Sequence, residues 1–226
     1  NILKLTSLIF KFLPNCTIYI VDDSKNFDLT NLFKREKKIN YFLRKNKKGR
    51  GSAVIFGLKK ALKNKKNKIF IEMDADFSHK PSELKKNILF FNKKKLDLLI
   101  ASRYLKTSKI LNWNVSRRIF SFLANFLAQL LLRVNVTDYT NGFRIYSTKS
   151  ARIISNKCGK IGDGYIVLSE ILLLLKTKDL KIDEVPSIFI NRKRGESSVN
   201  FQLIINSLFG LIKLFLIKLN FYNPYT

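Results

Sequence analysis

Two aspartates, Asp74 and Asp76, have a spacing that directly suggests chemistry. They follow an apolar run at residues 68–73 that we interpret as a buried strand. On an extended backbone, residues two apart point to the same side, so both carboxylates can converge on one hard divalent cation. Such a cation would bridge a diphosphate and neutralise charge on a departing nucleotide. The alternative is an acidic cluster that caps the helix predicted to begin at Pro81.

A second acidic pair, Asp22 and Asp23, ends the earlier apolar run at residues 17–21. In a doubly wound sheet, strand ends of this kind open onto one crevice, so the four carboxylates are expected to lie near one another. They would repel unless a cation or a basic ligand-binding wall compensates their charge. A metal site is therefore the simplest explanation of the two pairs together.

The elements that must position these residues are helices alternating with short apolar strands. Ser102, Arg103 and Tyr104 follow the last of the strands. The predicted elements are a helix at 1–12, strands at 17–21, 68–73 and 96–101, a glycine turn at 48–53 that opens a helix to about residue 62, and a helix that begins at 81. This alternation predicts a single α/β domain with a mostly parallel central sheet and a ligand crevice at the carboxyl ends of its strands.

The pattern changes after residue 110. We predict an apolar helix at about 117–132, a polar loop at 138–144, a helix at 165–175, a strand at 182–190, a basic loop at 191–199 and an apolar helix at 201–219. Lys213 and Lys218 lie in the last helix, whose length is marginal for a bilayer span. An interfacial amphipathic helix is the favoured interpretation, with a membrane span and core packing as alternatives.

The formal net charge of +27 is compatible with an anionic membrane surface, an anionic substrate or nucleic acid. Solvated surface is the first interpretation of the lysine runs, and attraction to a membrane is the second. We expect no nucleic-acid partner, because no binding module with aromatic platforms or metal knuckles is visible. Cys16 and Cys158 lie far apart and indicate a reducing compartment.

Short segments along nearly the whole chain resemble, in order and spacing, the motifs of dolichyl-phosphate mannose synthases, which belong to glycosyltransferase family 2. The first four are Ile20-Val-Asp-Asp-Ser24, Lys48-Gly-Arg-Gly-Ser-Ala53, Met73-Asp-Ala-Asp-Phe-Ser-His79 with Pro81, and Ala101-Ser-Arg-Tyr104. The later ones are Trp113 with Arg117, Ser121 and Asn125, then Asp138-Tyr-Thr-Asn-Gly-Phe-Arg144, Gly164 with Tyr165 and Glu170, Glu184-Val-Pro186, and Arg192 with Gly195 and Ser197.

The resemblance implies a GT-A-type fold, a nucleotide-diphospho-mannose donor, Mg²⁺ or Mn²⁺ as cofactor, and a polyprenyl phosphate acceptor. It implies that the metal ligands are Asp74, Asp76 and Ser78, and that the donor contacts Asp22, Asp23, Asp74, Asp76 and Arg103. It implies that the acceptor phosphate is gathered by Arg103, Arg117, Ser121 and Arg192. Of these residues, Asp76, Arg117 and Arg192 are the candidate catalytic residues.

Two departures from the family pattern bear on these expectations. The family's first strand is missing, because residue 1 already lies in the helix that should follow it. We therefore expect residues 1–200 to form one catalytic domain that is incomplete at its N-terminus, with an interfacial helix at about 117–132. Residues 201–226 are expected to form a C-terminal amphipathic or membrane-associated helix. Ser198 also stands where the family usually has Lys.

The residues themselves suggest the same chemistry. A lipid monophosphate has a second pKa of about 6, so its oxygen is already anionic at neutral pH and needs no strong base. Arginine suits the binding of such a phosphate, because its guanidinium can donate two parallel hydrogen bonds. Arg117 and Ser121 are four residues apart on a predicted helix, so they share a face and could address one phosphate together.

The leading hypothesis is transfer of a hexose, mannose from GDP-mannose by the motif match, to a polyprenyl phosphate with inversion at the cytoplasmic face of a membrane. We expect the chain to attach there as a peripheral or monotopic protein. One alternative is a related family 2 enzyme that glycosylates a saccharide hydroxyl, for which Asp138 or Glu170 would be the candidate base. The other is a non-catalytic, basic membrane-binding domain.

Overall fold

The computed structural model describes residues 2–24, 28–45, 49–191, 201–221 and 223–225, with the backbone alone at residues 201–204. The helices are α1 (Ile2–Phe12), α2 (Thr30–Phe33), α3 (Arg50–Ala61), α4 (Leu84–Lys94), α5 (Val115–Leu132), α6 (Thr148–Lys157), α7 (Ile166–Lys176) and α8 (Phe201–Lys218). The strands are β1 (Ile18–Asp22), β2 (Ile39–Leu43), β3 (Ile69–Glu72), β4 (Leu98–Ser102), β5 (Lys109–Leu111), β6 (Arg144–Ser147), β7 (Ile182–Pro186) and β8 (Ile188–Ile190). A 3₁₀ turn at Pro81–Glu83 leads into α4.

The largest sheet has the strand order β3-β6-β4-β7. Strand β6 is antiparallel to both of its neighbours, whereas β4 and β7 are parallel, with Leu98 opposite Ile182 and Ser102 opposite Pro186. The pairs β1–β2 and β5–β8 are also parallel. Strands β3 and β4 therefore run in the same direction, and the residues that follow them emerge at the same edge.

Strands β1 and β2 form a separate two-stranded sheet. Helix α3 contacts both β1 and β3, so it bridges this pair and the larger sheet. All five residues of β1 are half-buried, whereas all five residues of β4 are buried. The prediction that the family's first strand is missing stays a prediction.

The main core lies between the larger sheet, α3, α6 and α7. Ten consecutive residues of α7, from Ile166 to Leu175, are buried, which explains why this helix is apolar on every side. The guanidinium of Arg144 is also fully buried, and it donates hydrogen bonds to the carbonyl oxygens of Tyr139, Asn141 and Leu168. This satisfies the buried cation and ties the loop before β6 to α7.

The predicted single strand at 182–190 is wrong, because the chain forms two strands that pair with different partners. Ser187, between them, donates its backbone N–H to Ser102 and accepts at its carbonyl from Lys109. Its hydroxyl donates to Glu83 at 2.6 Å. Proline ends the first strand because it has no N–H to donate. The strands β2, β5 and β6 and the helices α2 and α6 were not predicted.

Helices α5 and α8 contact each other, and α8 also contacts α7. Lys218 donates to the carbonyl oxygen of Leu131, which joins the C-terminal ends of α5 and α8. Large apolar side chains on both helices face outward, among them Ile119, Phe122, Leu123, Phe126, Leu130, Leu208, Phe209 and Ile212. Within the described residues, α5 is long and apolar enough to cross a membrane by length and composition, and 17% of it is buried.

Candidate active site

Asp74 lies in the turn that follows β3 and is tied to a charged partner. Arg50, at the start of α3, donates from Nε to Asp74 Oδ1 at 2.9 Å. Burial alone would raise the pKa of Asp74, but the positive charge of Arg50 holds it below its ordinary value. Among the described residues, Asp74 Oδ2 has no hydrogen bond, and it lies 3.9 Å from His79 Nε2. This oxygen therefore keeps its capacity to accept a bond, and the Asp74 side chain is partly exposed.

His79 stabilises the turn through hydrogen bonds with Asp74 and Asn141. Burial lowers its pKa, so the imidazole is neutral at neutral pH. Its Nδ1 accepts from the backbone N–H of Asp74 at 3.2 Å, which leaves Nε2 as the donor to Asn141 Oδ1 at 3.0 Å. The amide of Asn141 in turn donates to the carbonyl oxygen of Ala101 in β4. His79 is thus a loop hydrogen-bonder, as expected for a buried histidine, and it links the ends of β3 and β4.

Asp76 accepts two hydrogen bonds from Ser78, from its backbone N–H at 3.0 Å and from its hydroxyl at 2.6 Å. Phe77 between them has a φ of 66°, and this left-handed residue turns the chain back on itself. Ser78 is buried and orients Asp76, and its role as a third metal ligand stays a prediction.

The donor set around this turn fits a small divalent cation. Carboxylate and hydroxyl oxygens are the ligands that Mg²⁺ and Mn²⁺ prefer, and Asp74 is about one-third exposed. No group of three or more His, Cys, Asp or Glu side chains that could hold a metal occurs in the described part of the chain. A cation here would therefore need further oxygens from a substrate, as is usual for Mg²⁺ bound through one or two carboxylates and phosphates.

The other acidic pair has its own partners. Asp23 accepts hydrogen bonds from Nε and Nη2 of Arg44, both at 2.6 Å, and Arg44 also donates to Ser52. Asp22 accepts from the Tyr41 hydroxyl at 2.8 Å. Arg44 and Arg50 thus each supply a positive charge to one acidic pair, which is the basic alternative that the sequence left open. The metal at Asp74 and Asp76 stays a prediction.

Arg103, after β4, forms a buried, bidentate ion pair with Asp138. Its Nε and Nη2 lie 2.8 and 2.7 Å from the two carboxylate oxygens, and its backbone N–H also donates to Asp138. Burial alone would raise the pKa of Asp138, but Arg103 and backbone donors hold it below its ordinary value. The rings of Tyr104, Trp113 and Phe189 surround the guanidinium. Arg103 therefore anchors the loop, and its part in gathering the phosphate-bearing substrates stays a prediction.

Glu184 in β7 completes this anchor. Its carboxylate accepts from the backbone N–H groups of Thr137 and Asp138 and from the Thr137 hydroxyl. Burial raises the pKa of Glu184. The sequence assigned Glu184 only to a motif, and its structural role is to hold the backbone that carries Asp138.

Arg117 lies in the first turn of α5, where the side chain of Asn114 caps the helix. Its guanidinium lies 4.4 Å from the centre of the Trp113 ring and donates to Asn191 Oδ1 at 2.9 Å. Ser121, one turn further along, accepts from the Tyr104 hydroxyl at 2.7 Å. Arg117 thus contacts the segment after β8, and Ser121 contacts the segment after β4. That the two address one phosphate together stays a prediction. Arg192 lies outside the described residues, directly after Asn191.

Neither candidate base for a hydroxyl acceptor is accessible. Asp138 is fully buried in its pair with Arg103. Glu170 is also fully buried in α7, where it accepts from the backbone of Gly159 and Lys160 and from the hydroxyl of Tyr225 near the C-terminus. Both carboxylates therefore stabilise loops and cannot reach a substrate from these positions.

Comparison with known proteins identifies the family of this chain. The family described as Glycosyl transferase family 2 matches residues 3–154. The undecaprenyl-phosphate mannosyltransferase of Micrococcus luteus is 30% identical over 194 residues, covering 83% of this chain and 77% of that protein. The dolichol-phosphate mannosyltransferase of Pyrococcus furiosus is 30% identical over 88% of this chain and 55% of its own length. The chain belongs to glycosyltransferase family 2 and is a glycosyltransferase.

Solved structures confirm the fold. Glucosyl-3-phosphoglycerate synthase from Mycobacterium tuberculosis, in complex with Mn²⁺, UDP and phosphoglyceric acid, aligns with a TM-score of 0.62 at 16% identity. The alignment covers 99% of this chain and 75% of that one. A second structure of that enzyme, with Mn²⁺, UDP and glucosyl-3-phosphoglycerate, gives a TM-score of 0.60. The predicted GT-A-type α/β fold is thus confirmed.

Proposed function

We propose that this chain transfers mannose from GDP-mannose to a polyprenyl phosphate, with inversion at the sugar carbon, at the cytoplasmic face of a membrane. The observation that carries the proposal is the position of Arg117. It lies in the first turn of α5, beside Trp113 and Asn191, and the rest of α5 presents an outward apolar face. An arginine that binds phosphate at the start of such a helix suits an acceptor whose phosphate is attached to a lipid.

The names of the two relatives support the acceptor class, because both are polyprenyl-type phosphate mannosyltransferases. In the proposed reaction, an oxygen of the acceptor phosphate attacks the anomeric carbon of the donor sugar. The bond from that carbon to the diphosphate oxygen breaks on the opposite face, which inverts the configuration. No protein base is required, since the acceptor oxygen is already anionic at neutral pH.

Each side of the site has a proposed task. Arg117, Ser121 and Arg192 gather the acceptor phosphate, while Asp22 and Asp23 contact the nucleotide. Asp74 and Asp76, supported by Ser78, hold a divalent cation, Mg²⁺ or Mn²⁺. When bound, that cation neutralises charge on the departing diphosphate.

The test is a transfer assay with labelled GDP-mannose, UDP-glucose and other nucleotide-sugars, each offered with a short polyprenyl phosphate or with a free saccharide. We expect a labelled, organic-soluble mannosyl lipid phosphate. A matched assay with the corresponding polyprenol, which lacks the phosphate, should give no product. Transfer to the saccharide but not to the lipid phosphate would contradict the proposed acceptor, and transfer from another nucleotide-sugar would correct the donor.

A further inference from the structure

The backbone is closely packed around Arg50 at three glycines, Gly49, Gly51 and Gly142. Gly49 has a φ of 91°, and a Cβ there would lie 2.8 Å from the carbonyl oxygen of Asp163. A Cβ at Gly51 would lie 2.4 Å from Val167 Cγ2. A Cβ at Gly142 would lie 1.6 Å from Arg50 Nη2. The absence of three side chains therefore makes room for the backbone around Arg50 and for its guanidinium.

The guanidinium of Arg50 is shared between two carboxylates. Its Nη2 lies 2.7 Å from Glu72 Oε1 and 2.9 Å from Asp74 Oδ1, the same oxygen that accepts from Nε. Glu72 is nearly buried, and its other oxygen accepts from the hydroxyl of Tyr146 at 2.6 Å. Arg50 thus balances the charge of a buried acid and of a candidate metal ligand at the same time.

The hydrogen bonding of this cluster is incomplete. Arg50 Nη1 and Glu72 Oε1 are buried without a hydrogen-bond partner, although Glu72 Oε1 is in ion-pair contact with Arg50. Buried polar atoms rarely stay unsatisfied without a reason. Arg50 Nη1 therefore keeps a hydrogen-bond donor that no described protein group uses.

A divalent cation held by Asp74 and Asp76 would lie close to the positive charge of Arg50, which also occupies one oxygen of Asp74. The cation would therefore bind weakly by itself, because two positive charges in a partly buried crevice repel. A nucleoside diphosphate supplies compensating negative charge and oxygen ligands. Its arrival would allow the guanidinium to remain beside the cation.

We propose that Arg50 is a positioning residue that holds Asp74 in the metal-free protein and makes binding of the divalent cation depend on the nucleoside diphosphate. The inference rests on the metal site given under Proposed function. It adds an order of binding, in which the cation is retained once the diphosphate is present, and it names the residue that sets this order.

The experiment measures Mn²⁺ binding to the full 226-residue chain by calorimetry and by the electron paramagnetic resonance signal of free Mn²⁺, with and without GDP or UDP. In the wild type, the nucleotide should tighten Mn²⁺ binding strongly. Arg50→Gln should bind Mn²⁺ alone about tenfold more tightly than the wild type, because the competing charge is gone. The tightening by nucleotide should shrink by a similar factor. Arg50→Lys, which keeps the charge, should stay near the wild type.

Arg152→Gln is the matched control, because it removes the same charge from an exposed position on α6 and should leave Mn²⁺ affinity unchanged. Since Arg50→Gln leaves Glu72 and Asp74 without their cation, the double variant Arg50→Gln/Glu72→Gln provides a second version in which the loss of charge is balanced. It should also bind Mn²⁺ alone more tightly than the wild type, because Asp74 no longer shares its charge.

The outcomes separate the inference from the proposed function. If the wild type binds Mn²⁺ with nucleotide but neither variant binds Mn²⁺ alone more tightly, the role of Arg50 is wrong and the metal site stands. If the wild type binds no Mn²⁺ with or without nucleotide, the metal site fails and the inference fails with it. A merely structural Arg50 would change the free energy of unfolding without raising the metal affinity.

Discussion

Two arginine–aspartate pairs include the residues just after β3 and β4, Asp74 and Arg103, and the pairs differ mainly in exposure. In the Arg50–Asp74 pair, the side chains are 19% and 34% exposed. In the Arg103–Asp138 pair, they are 6% and 0% exposed. Both aspartates have a pKa below the ordinary value in spite of burial. The similar chemistry therefore serves two purposes: the interior pair fixes a loop, and the crevice pair remains within reach of a ligand.

The comparison shows that an arginine at a strand end can take up structural contacts with the protein itself. Arg103 makes a fork with Asp138, a bond to Thr140 and contacts with three rings, so its guanidinium is largely committed. Arg117 lies further out, in the first turn of α5, beside Trp113 and Asn191. We therefore expect substitutions in the interior to lower mainly the stability of the protein, and substitutions at the rim to lower mainly its activity.

The interior pair should give the largest change in stability. Asp138→Asn leaves the Arg103 charge buried without its partner, and the free energy of unfolding should fall by about 3–5 kcal/mol. Urea unfolding followed by circular dichroism measures this. Asp179→Asn, at an exposed position after α7, is the control and should change stability by less than about 0.5 kcal/mol.

The pH dependence gives a further check on this variant. Because the pKa of Asp138 is lower in the folded state than in the unfolded chain, its stabilising effect is complete above the unfolded value of about 3.9. It is lost as the pH falls through the folded-state pKa. The difference in stability between the wild type and Asp138→Asn should narrow below about pH 4. A loss smaller than about 1 kcal/mol at pH 7 would show that the pair is not a structural anchor.

Substitution in the crevice should impair activity and leave stability nearly unchanged. Asp76→Asn should abolish transfer, with a loss of at least about 100-fold, because removal of one group that stabilises developing charge typically costs this much. The circular dichroism spectrum and the urea midpoint should stay close to those of the wild type, since Asp76 is only half-buried. The same Asp179→Asn control should keep full activity. Full wild-type activity in excess chelator would argue against a metal at this position.

At the rim, Arg117→Ala should chiefly impair use of the lipid phosphate. The expected loss is about 1.5–3 kcal/mol in kcat/KM for the acceptor, the range for a lost hydrogen bond to a charged group. The KM for the donor should change little. Arg118→Ala is the matched control, because Arg118 is the exposed neighbour and donates to the carbonyl oxygen of Ile110. Equal losses for donor and acceptor would indicate misfolding or a shared role.

The sequence predicted the elements whose patterns are long or strongly punctuated. Helices α1, α3, α5 and α7 and strands β1, β3 and β4 lie close to their expected bounds. The missed strands, β2, β5 and β6, have three to five residues each, and β6 contains the buried Arg144. Their strand conformation depends on partners elsewhere in the chain, which local periodicity does not reveal.

The site shows the same limit. The spacing of Asp74 and Asp76 and that of Arg117 and Ser121 are local, so the sequence could identify them. Arg50 lies 24 residues from its partner Asp74, and Glu184 lies 47 residues from its partner Thr137. Only the fold brings each pair together. Arg50 was visible in the glycine turn, and its neighbouring glycines were the signal that the backbone there is closely packed.

The outermost region, the apolar faces of α5 and α8, should hold the crevice against a membrane. Under the proposed function the acceptor phosphate lies at the bilayer surface, so we expect Arg117 at headgroup level and the apolar side of α5 among acyl chains. We therefore expect peripheral or monotopic attachment with both termini on the cytoplasmic side. Binding to anionic vesicles should weaken with salt, since each basic group near the surface adds roughly 1 kcal/mol. Detergent should release the protein more readily than salt alone.

Substitutions on α5 can separate insertion from simple charge attraction. Leu123→Glu and Phe126→Glu lie on the exposed apolar face and should each weaken binding to neutral vesicles by about 2 kcal/mol, the value for burying a large apolar side chain. Gln129→Glu adds the same charge at an exposed polar position of the same helix and should have a smaller effect. Equal effects of all three would mean that the added charge, and not the loss of an inserted apolar side chain, weakens binding.

Orientation decides between an interfacial helix and a span, because α5 is long enough for either. In sealed membrane vesicles, single cysteines placed at Ser116 and Asn135, on either side of most of α5, should react with an impermeant reagent from the same side. Residues 93–95 and residues 222–226, probed by protease or label, should likewise be reached from one side. If Ser116 and Asn135 react from opposite sides, α5 crosses the bilayer. If residues 222–226 react only from the side opposite residues 93–95, the chain crosses the bilayer between them and the interfacial assignment is wrong.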